Sequence, residues 1–429
     1  MSIEELYKIY QQHPSVQTDT RKLKPGDIFF ALKGPNFNGN AFAKHAIDAG
    51  AVCAVIDEKE YEISGKTFLV HDSLAALQQL AHHHRRQFHI PFLAITGSNG
   101  KTTTKELIHV VLSSAYNVYT TEGNLNNHIG VPLTILKVQE DANIAVIEMG
   151  ANHLHEIEAY CKIAEPTHGL ITNCGKAHLE GFGSVEGVKK GKGELFDHIR
   201  NVQGTAFVMW DYDYLHGLSS GIKEIVKYGT HDADITGNVI ESSPFLRVKI
   251  DPETEIQTQL FGDYNLPNVL AAVAVGREMK INLNKIKDAI EAYTPSNSRS
   301  QLLQHRTNKF ILDAYNANPS SMQLAVENFA SIQAEKKVLM LGAMAELGQE
   351  TEAEHQRLIN LIKQYNWHAV ILVGSHFEQF KNEFMYFENA TAAGNWFAQQ
   401  NFTDTYFLVK GSRSSQMEKI LASGNIIIA

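Results

Sequence analysis

Residues 90–104 read Ile-Pro-Phe-Leu-Ala-Ile-Thr-Gly-Ser-Asn-Gly-Lys-Thr-Thr-Thr. The apolar run Phe92–Ile95 predicts a buried strand, and the spacing of apolar residues in Lys105–Leu112 predicts a helix. A loop with two glycines followed by Lys-Thr lies between them. Such a loop is typical of a nucleoside triphosphate site, because its free N–H groups and the helix N-terminus attract phosphate oxygens. The lysine reaches the outer phosphates, and a threonine hydroxyl ligates Mg²⁺.

The spacing of the two glycines departs from the standard P-loop, which places four residues between them. Here only two residues separate Gly97 from Gly100. The alternative is a helix cap that contains Gly-Lys-Thr by chance. The strand before the loop and the helix after it favour the phosphate site.

Composition limits the classes of function that this chain can serve. Its 429 residues predict two or three domains, and its 44% apolar and 20% charged residues are those of a globular protein. The net charge of −9 disfavours nucleic acid as the main partner. We find no run of 18 apolar residues and no signal-peptide segment. Three cysteines without CxxC spacing, Cys53, Cys161 and Cys174, indicate reduced thiols, so we expect a cytoplasmic protein.

Alternating apolar runs and helical stretches predict an α/β protein with three domains. Residues 1–86 are expected to form a small α/β domain, and residues 87–296 a central P-loop-type domain with a mainly parallel sheet. Residues 297–429 are expected to form a smaller, doubly wound, Rossmann-like domain. Ligands bind such sheets at the carboxyl ends of the strands, so we look there for functional residues.

Three segments resemble sites but favour plainer interpretations. His82–Arg86 is interpreted as a solvated helix end, because consecutive helical side chains point in different directions and cannot share one ion. Gly181–Gly187 resembles a dinucleotide fingerprint but does not directly follow a strand, so we interpret it as a loop. Arg21, in Asp19-Thr20-Arg21, could bind a phosphate, although a surface salt bridge is favoured.

Three further residues are candidates for a metal–phosphate site. Glu148 closes an apolar strand, which places it at the same sheet edge as the glycine loop. His178 lies just past the next strand end, although a lone histidine is usually structural. Lys192 belongs to a run with Lys189 and Lys190, which by itself indicates solvated surface. The residues alone leave these alternatives open.

Taken together, the motifs resemble the Mur ligase family along the whole chain. The segments that carry the resemblance fall in the family's order: Gly97–Thr103, Thr121–Asn127, Glu148–Gly150, Ala177–Gly183, Tyr264–Asn268, Asp313–Pro319, Ala345–Gly348 and Lys410–Arg413. The phosphate loop matches the family's compact form, including its two-residue spacing.

The resemblance implies ATP-dependent formation of an amide bond. The last three segments are similar to those of family members that join D-alanyl-D-alanine to UDP-N-acetylmuramoyl-tripeptide, the last cytoplasmic peptide-adding step of peptidoglycan precursor synthesis. The tripeptide carboxylate would attack the γ-phosphate of ATP, and the amine of D-alanyl-D-alanine would then attack the acyl phosphate. The alternatives are a sister ligase that adds a third amino acid or glutamates to folate, a nucleotide-dependent switch and a non-catalytic binding protein. Whether the tripeptide ends in diaminopimelate or lysine stays open.

The resemblance also implies roles for individual residues. Thr102 and Glu148 would hold one Mg²⁺ and His178 would help to hold a second. Lys192, fourteen residues after His178, matches a carbamoylated lysine of the family. The candidate catalytic residues are Lys101, Glu148, His178 and Lys192. The nucleotide would bind Gly97, Ser98, Asn99, Gly100, Lys101, Thr102 and Thr103, with Asn265 and Asn268 on adenine, Arg299 on the phosphates and Asp313 on the ribose.

Substrate contacts and departures from the family complete the expectations. Asn124 and Asn127 match the region that faces the muramoyl substrate, and Arg21 with Lys33–Asn40 would bind the UDP end. The family often has Asp-Gly-His where this chain has Asn38-Gly39-Asn40, and commonly has aspartate where this chain has Ala343. We expect a monomer that neither inserts into a membrane nor binds nucleic acid.

Overall fold

The structure is a computed structural model that describes residues 2–242, 245–295, 298–424 and 426. Its N-terminal part contains a short parallel sheet with helices against both faces. The strands are β1 (Val16–Gln17), β2 (Ile28–Phe30), β3 (Lys33–Gly34), β4 (Phe37–Asn38), β5 (Cys53–Ile56) and β6 (Thr67–Leu69), and the α-helices are α1 (Ile3–Gln12), α2 (Ala43–Asp48) and α3 (Ser73–Arg85). The sheet order is β1-β2-β5-β6, all parallel, and β3 and β4 form a separate hairpin.

The central part contains the largest sheet. The strands are β7 (Phe92–Thr96), β8 (Val118–Thr120), β9 (Ile144–Glu148), β10 (His168–Ile171), β11 (Thr205–Met209), β12 (Glu224–Gly229), β13 (Ile235–Thr236), β14 (Asn238–Glu241), β15 (Arg247–Lys249) and β16 (Glu255–Gln257). The α-helices are α4 (Lys101–Ser113), α5 (Gly130–Ile135), α6 (Glu156–Ala164), α7 (Leu179–Phe182), α8 (Val185–Asn201), α9 (Asp213–Ser219), α10 (Leu266–Glu278) and α11 (Leu283–Ala292).

The order of the central sheet places the phosphate loop at its middle. Seven parallel strands run β13-β12-β11-β10-β7-β9-β8. Every residue of β7 and β9 is buried, because helices cover both faces of a parallel sheet. The chain leaves β7 for β8, returns through β9 on one side of β7 and continues with β10 on the other. This reversal of strand order opens a crevice at the carboxyl end of β7, where doubly wound sheets bind ligands.

The C-terminal part forms a second doubly wound sheet. Its strands are β17 (Gln301–His305), β18 (Asn308–Asp313), β19 (Lys336–Gly342), β20 (Ala369–Val373), β21 (Met385–Phe387) and β22 (Thr405–Lys410), and its α-helices are α12 (Pro319–Ser331), α13 (Thr351–Ile362), α14 (Ala390–Phe397) and α15 (Glu418–Ser423). The order is β17-β18-β22-β19-β20-β21, with only the β17–β18 pair antiparallel. Alternate side chains of the strands pack against α12 and α13 on one face and against α14 and α15 on the other.

The hydrophobic cores divide the molecule unevenly. One continuous core runs from Leu6 in α1 to Ile290 in α11 and joins the N-terminal and central parts. The C-terminal sheet has its own two cores, to which the central part adds Phe261. Phe261, with Tyr264 packed beside it, therefore links the central part to a core of the C-terminal part. No helix of the described residues is long and apolar enough to cross a membrane.

The predicted α/β fold with three domains is confirmed, while three local predictions are wrong or incomplete. The antiparallel sheet β14-β15-β16 and the edge strands β17 and β21 were not expected. Gly181–Gly187 is not a loop, since α7 ends at Phe182 and α8 begins at Val185. The domain bounds at 86/87 and 296/297 stay predictions.

A helix end within residues 82–86 is confirmed, since α3 ends at Arg85, but the prediction that this end is solvated is wrong for two of its residues. His84 and Arg85 are each only 6% exposed. The ring of His84 contacts the hydroxyl of Tyr7 (Nδ1–O 3.1 Å) and donates from Nε2 to the carbonyl of Val138 (2.8 Å). Helix α3 thus ends inside the interface between the N-terminal and central parts. These partners lie far away in sequence, so the local charge pattern could not reveal them.

Candidate active site

A cavity of about 930 Å³ opens at the carboxyl end of the central sheet and is closed on its far side by the C-terminal part. Most of the predicted site residues line it: Ser98, Asn99, Gly100, Lys101, Thr102, Thr103, Asn124, Asn127, Glu148, His178, Asn265, Asn268, Arg299 and Asp313. Gly97, Arg21 and Lys192 do not line it. The cavity therefore brings together side chains that lie up to 312 positions apart, from Ser98 to Lys410.

Both glycines of the phosphate loop are required by backbone geometry and by close neighbours. Gly97 has φ +144° and Gly100 has φ +80°, conformations that residues with a side chain rarely adopt. A Cβ atom at Gly97 would lie 2.0 Å from Oγ1 of Thr172, and one at Gly100 would lie 2.6 Å from Oδ1 of Asn268. Gly100 caps α4, which begins at Lys101. A side chain at either glycine would therefore strain the backbone and collide with Thr172 or Asn268.

The segment after β10 holds the phosphate loop in place. The N–H of Ser98 donates to the carbonyl of Asn173 (2.9 Å), and the N–H of Asn99 donates to Oδ1 of the same residue (3.1 Å). The Ser98 hydroxyl donates to the carbonyl of Gly175 (3.1 Å) and accepts from its N–H (3.0 Å). A loop fixed at several points needs little reorganisation when phosphates bind.

The ammonium group of Lys101 lies over the phosphate loop. Its Nζ donates to the carbonyls of Gly97 (2.6 Å) and Ser98 (3.3 Å). Burial lowers the pKa of Lys101, the positive charge of Arg299 adds to that effect, and Glu148 opposes it. A phosphate bound in the loop would place negative charge beside Lys101 and favour its charged form.

Thr102 and Glu148 form the best candidate for a metal site. The hydroxyl of Thr102 lies 3.0 Å from Oε2 and 3.2 Å from Oε1 of Glu148, and the two residues are 4% and 1% exposed. The amide of Asn126 donates to Oε1 of Glu148 (2.8 Å), and the Glu148 N–H donates to Oγ1 of Thr121 (2.9 Å). A carboxylate and a hydroxyl beside a phosphate loop are the ligand types that Mg²⁺ takes together with phosphate oxygens. These residues therefore fit the metal.

His178 contacts Glu346, which was not predicted as a site residue. It follows β10 in the left-handed conformation (φ 51°), and its Nδ1 lies 2.5 Å from Oε2 of Glu346 in the C-terminal part. This contact lowers the pKa of Glu346. Within the described residues no group of three or more His, Cys, Asp or Glu side chains is arranged to hold a metal ion. The role of His178 as a metal ligand stays a prediction.

Lys192 lies behind the cavity wall rather than in a solvated run. It is 1% exposed, and its Nζ donates to the carbonyl of Ala151 (2.9 Å), a residue that does line the cavity. The ring of Phe182 lies 5.1 Å from the same nitrogen. Burial, with a smaller effect of Lys101, lowers the pKa of Lys192 to about 7. Its neighbour Lys189 instead pairs with Glu186 at the surface (2.6 Å).

The predicted adenine-side asparagines are tied to each other and to the protein. Nδ2 of Asn268 donates to Oδ1 of Asn265 (2.8 Å), and Oδ1 of Asn268 accepts from the hydroxyl of Thr104 (2.9 Å). Asn265 donates in turn to the carbonyl of Phe261 (2.8 Å). These bonds fix α10 against α4, beside the phosphate loop.

Besides Glu346, the C-terminal part adds two cations and a second carboxylate to the cavity: Arg299, Lys410 and Asp313. The guanidinium of Arg299 stacks 3.6 Å from the ring centre of Tyr315. Asp313 pairs with Lys410, which lies opposite it in the register of β18 and β22. Lys410 was not predicted as a site residue. The signal that identified Glu148, a charge that closes an apolar strand, is also present at Lys410.

Of the residues predicted to contact the substrate, some line the cavity and one lies at the surface. Asn124 and Asn127 line the cavity, where Oδ1 of Asn127 accepts from the N–H groups of Ile129 (3.1 Å) and Gly130 (2.9 Å). The side chain of Arg21 is 87% exposed and pairs with Asp19 (2.8 Å), the surface salt bridge that the sequence favoured.

The two departures from the family pattern also have defined surroundings. Asn40 donates to Oδ1 of Asp57 (2.7 Å), and Asn38 donates to Oε2 of Glu58 (2.8 Å). The carbonyl of Ala343 accepts from the hydroxyl of Ser412 (2.6 Å).

Three family models match the chain in order. They are the Mur ligase family catalytic domain at residues 14–85, the Mur ligase middle domain at residues 95–276 and the Mur ligase glutamate ligase domain at residues 298–413.

Individual proteins resemble the chain over most of its length. A UDP-N-acetylmuramoyl-tripeptide–D-alanyl-D-alanine ligase of Escherichia coli is 35% identical over 95% of this chain and 92% of its own. The ligase of the same name from Bacillus subtilis is 35% identical over 80% of this chain and 76% of its own. The crystal structure of MurF from Acinetobacter baumannii matches with TM-score 0.86 and 29% identity, covering 97% of both chains. MurF ligase from Thermotoga maritima in complex with ADP matches with TM-score 0.85 and 25% identity, covering 96% of both.

Proposed function

We propose a function from the premise that this chain belongs to the Mur ligase family. It joins D-alanyl-D-alanine to UDP-N-acetylmuramoyl-tripeptide, with ATP as the energy source. A relative named UDP-N-acetylmuramoyl-tripeptide–D-alanyl-D-alanine ligase matches nearly the whole chain. One observation carries the chemistry: a phosphate loop and the buried Thr102–Glu148 pair face one cavity between two domains. The product would be a peptidoglycan precursor, and the co-product would be ADP.

The reaction needs activation because a carboxylate is a poor electrophile. The terminal carboxylate of the tripeptide attacks the γ-phosphorus of ATP, the bond to the β-phosphate oxygen breaks, and an acyl phosphate and ADP form. The amine of D-alanyl-D-alanine then attacks the acyl carbon, loses a proton and expels inorganic phosphate. Bringing two anions together is unfavourable, so the N–H groups of the loop and Lys101 would offset their repulsion and stabilise the phosphoryl group in transfer.

The residues that would hold Mg²⁺ are Thr102 and Glu148, with His178 proposed for a second ion. When bound, the metal would neutralise phosphate charge and polarise the phosphoryl oxygen. Asn126 supports this assignment, since its amide bonds Oε1 of Glu148 and orients the carboxylate beside Thr102. Outer contacts of this kind set the direction of a metal ligand.

We propose that Lys192 is carbamoylated. Only a neutral amine reacts with CO₂, and the pKa of about 7 leaves a large neutral fraction near neutral pH. The ammonium group first loses one proton; the neutral amine then forms an N–C bond with CO₂ and releases a second proton, so that an anion replaces the cation. An anion at this position would lie behind Ala151, which lines the cavity, and could support the metal site, which an ammonium group could not.

The remaining assignments follow the same proposal. Asn265 and Asn268 would lie at the adenine, Arg299 at the phosphates and Asp313 at the ribose, since all four line the cavity with the phosphate loop. Asn124 and Asn127 would face the muramoyl substrate, and Arg21 with residues 33–40 would bind the UDP end. We further propose a monomer that works in the cytoplasm, which agrees with three buried cysteines that remain free thiols.

One assay tests the function directly. Phosphate release is measured with ATP, Mg²⁺, UDP-N-acetylmuramoyl-tripeptide and D-alanyl-D-alanine, with each peptide substrate omitted in turn. A ligase releases phosphate at its full rate only when both are present, and mass spectrometry detects the pentapeptide product. Steady ATP hydrolysis without either substrate would instead indicate a nucleotide-dependent switch.

A further inference from the structure

Residues 173–176, which we call the bridge segment, contact both the phosphate loop and the C-terminal part. On one side, Asn173 and Gly175 bond the backbone and side chain of Ser98. On the other side, the N–H of Lys176 donates to Oγ of Ser320 (3.0 Å). The ammonium group of Lys176 donates to Oε1 of Glu354 (2.8 Å). The bridge segment therefore connects the nucleotide-binding loop to two helices of the other domain, α12 and α13.

The Lys176–Glu354 pair differs from an ordinary surface ion pair. The side chain of Glu354 is 4% exposed, whereas the side chain of Lys176 is 41% exposed. A buried carboxylate needs cationic partners. Glu354 has two, Lys176 and Arg357, and Arg357 belongs to the same helix as Glu354. When Lys176 moves away with the central domain, Glu354 loses one of these partners. The attraction therefore favours the arrangement in which the two domains touch.

Packing at Gly175 shows how closely the domains approach. A Cβ atom at Gly175 would lie 2.9 Å from Oγ and 3.3 Å from Cβ of Ser320. The backbone of Gly175 is not left-handed, so alanine is compatible with the local conformation. The conflict created by alanine would lie between the domains and not within the central one.

A second contact joins the same two parts at the phosphate loop itself. Nδ2 of Asn318, the N-cap of α12, donates to Oδ1 of Asn99 (2.8 Å). Two residues further on, Ser320 accepts from Lys176. The start of α12 thus touches the loop directly and through the bridge segment, so a shift of the C-terminal domain is transmitted to the loop by both routes.

We propose that Lys176 and Glu354 are positioning residues for the ligation. Their ion pair holds the C-terminal domain against the bridge segment, and the bridge segment holds the phosphate loop. Neither side chain touches the reacting atoms; they act by keeping Arg299 and Asp313 of one domain opposite Lys101 of the other. The consequence for ligation rests on the proposed function, whereas the effect on domain closure does not.

The first test removes the charge on the more exposed side. Lys176→Met is compared with the parent by small-angle scattering, and by steady-state kinetics as kcat and KM separately. We expect a larger radius of gyration and a loss in kcat/KM of about tenfold, typical of coupling between groups in contact. High salt should enlarge the parent more than the variant, since only the parent has the Lys176–Glu354 pair to screen.

A matched control uses an ion pair inside the C-terminal domain. Lys363 and Glu383 lie 2.5 Å apart with side chains 45% and 47% exposed, and they join no second domain. Lys363→Met should keep the scattering and kinetics of the parent. If Lys176→Met behaves like Lys363→Met, the proposal is wrong.

The second test uses shape instead of charge. Gly175→Ala should separate the domains and lower kcat/KM, and the added Ser320→Gly should partly restore both by removing the clashing atoms. Circular dichroism checks that each variant is folded. Unchanged scattering for Gly175→Ala would overturn the closeness on which the proposal depends. If the variants shift the scattering while the parent does not ligate, the proposed function fails and the domain contact stands.

Discussion

At the residue scale, the charge of Lys101 is the first feature to test. Lys101→Ala removes the cation that offsets repulsion between the triphosphate and the attacking carboxylate. We expect a loss in kcat of about 10²-fold or more in a folded protein, since the interaction strengthens in the transition state. Phosphate release measures the loss, and thermal melting confirms the fold. Near-normal turnover would show that this loop is not the phosphate site.

Lys192 offers a prediction with a readout other than activity. Its pKa of about 7 lies below the usual value for lysine because burial disfavours the charged form. The neutral fraction, and with it the carbamate formed at constant dissolved CO₂, should therefore rise as the pH rises through about 7. Carbon-13 NMR with labelled bicarbonate should show a carbamate signal that follows this dependence.

Three variants separate the effect of the buried lysine from that of its neighbours in the run. Lys192→Ala should lose the carbamate signal and nearly all ligation, and added short carboxylates should restore part of the activity. The partly exposed Lys189 and the exposed Lys190 serve as controls, and Lys189→Ala and Lys190→Ala should retain both. A carbamate signal that survives in Lys192→Ala would place the modification elsewhere.

At the element scale, the end of α3 supports a prediction on stability. Arg85 donates to the carbonyls of Ala164 (2.7 Å), Glu165 (2.8 Å) and Phe88 (2.9 Å), and its guanidinium lies 3.8 Å from the ring centre of Phe92. Arg85→Met leaves these carbonyls without their donor, so we expect the free energy of unfolding to fall by about 3 kcal/mol. Denaturant titration measures the change.

The adjacent arginine is the control for that measurement. Arg86 is exposed, and Arg86→Met should change the free energy of unfolding by less than about 0.5 kcal/mol. Equal effects of the two substitutions would mean that the contacts of Arg85 contribute nothing to stability.

The sequence was informative where an element carries its own pattern. The central strands are continuous apolar runs, so the amino-acid sequence alone predicts them and the residues at their ends, such as Glu148. The strands β14 and β21 are short and bury none of their residues, so neither forms an apolar run long enough to predict a strand. His84 and Arg85 acquire their roles from partners in another domain, which local sequence does not encode. Glu346 lies in a segment that carries the family resemblance, but its contact with His178 depends on the packing of two domains.

At the scale of the whole molecule, buried and half-buried histidines predict acid sensitivity. Burial lowers the pKa of five of them below the usual 6.5: His84, His109, His168, His198 and His355. The unfolded chain therefore binds more protons than the folded one as the pH falls below about 6.5, and stability falls with it. Calorimetry should show a melting temperature that decreases from pH 7 to pH 5.5.

An exposed histidine provides the comparison. His153 has a side chain that is 66% exposed, so His153→Gln should leave the pH dependence of melting unchanged. His84→Gln should make that dependence shallower, whatever it does to the melting temperature at pH 7. A melting temperature that stays constant over this range would contradict the assignment.

The single core shared by the N-terminal and central parts has a consequence for synthesis on the ribosome. Its last member, Ile290, leaves the exit tunnel while most of the C-terminal sheet is still unmade. Translation of the remainder takes on the order of ten seconds, far longer than a domain needs to collapse. The nascent chain can therefore complete the phosphate loop and its supporting sheet first, and the last domain folds against a finished surface.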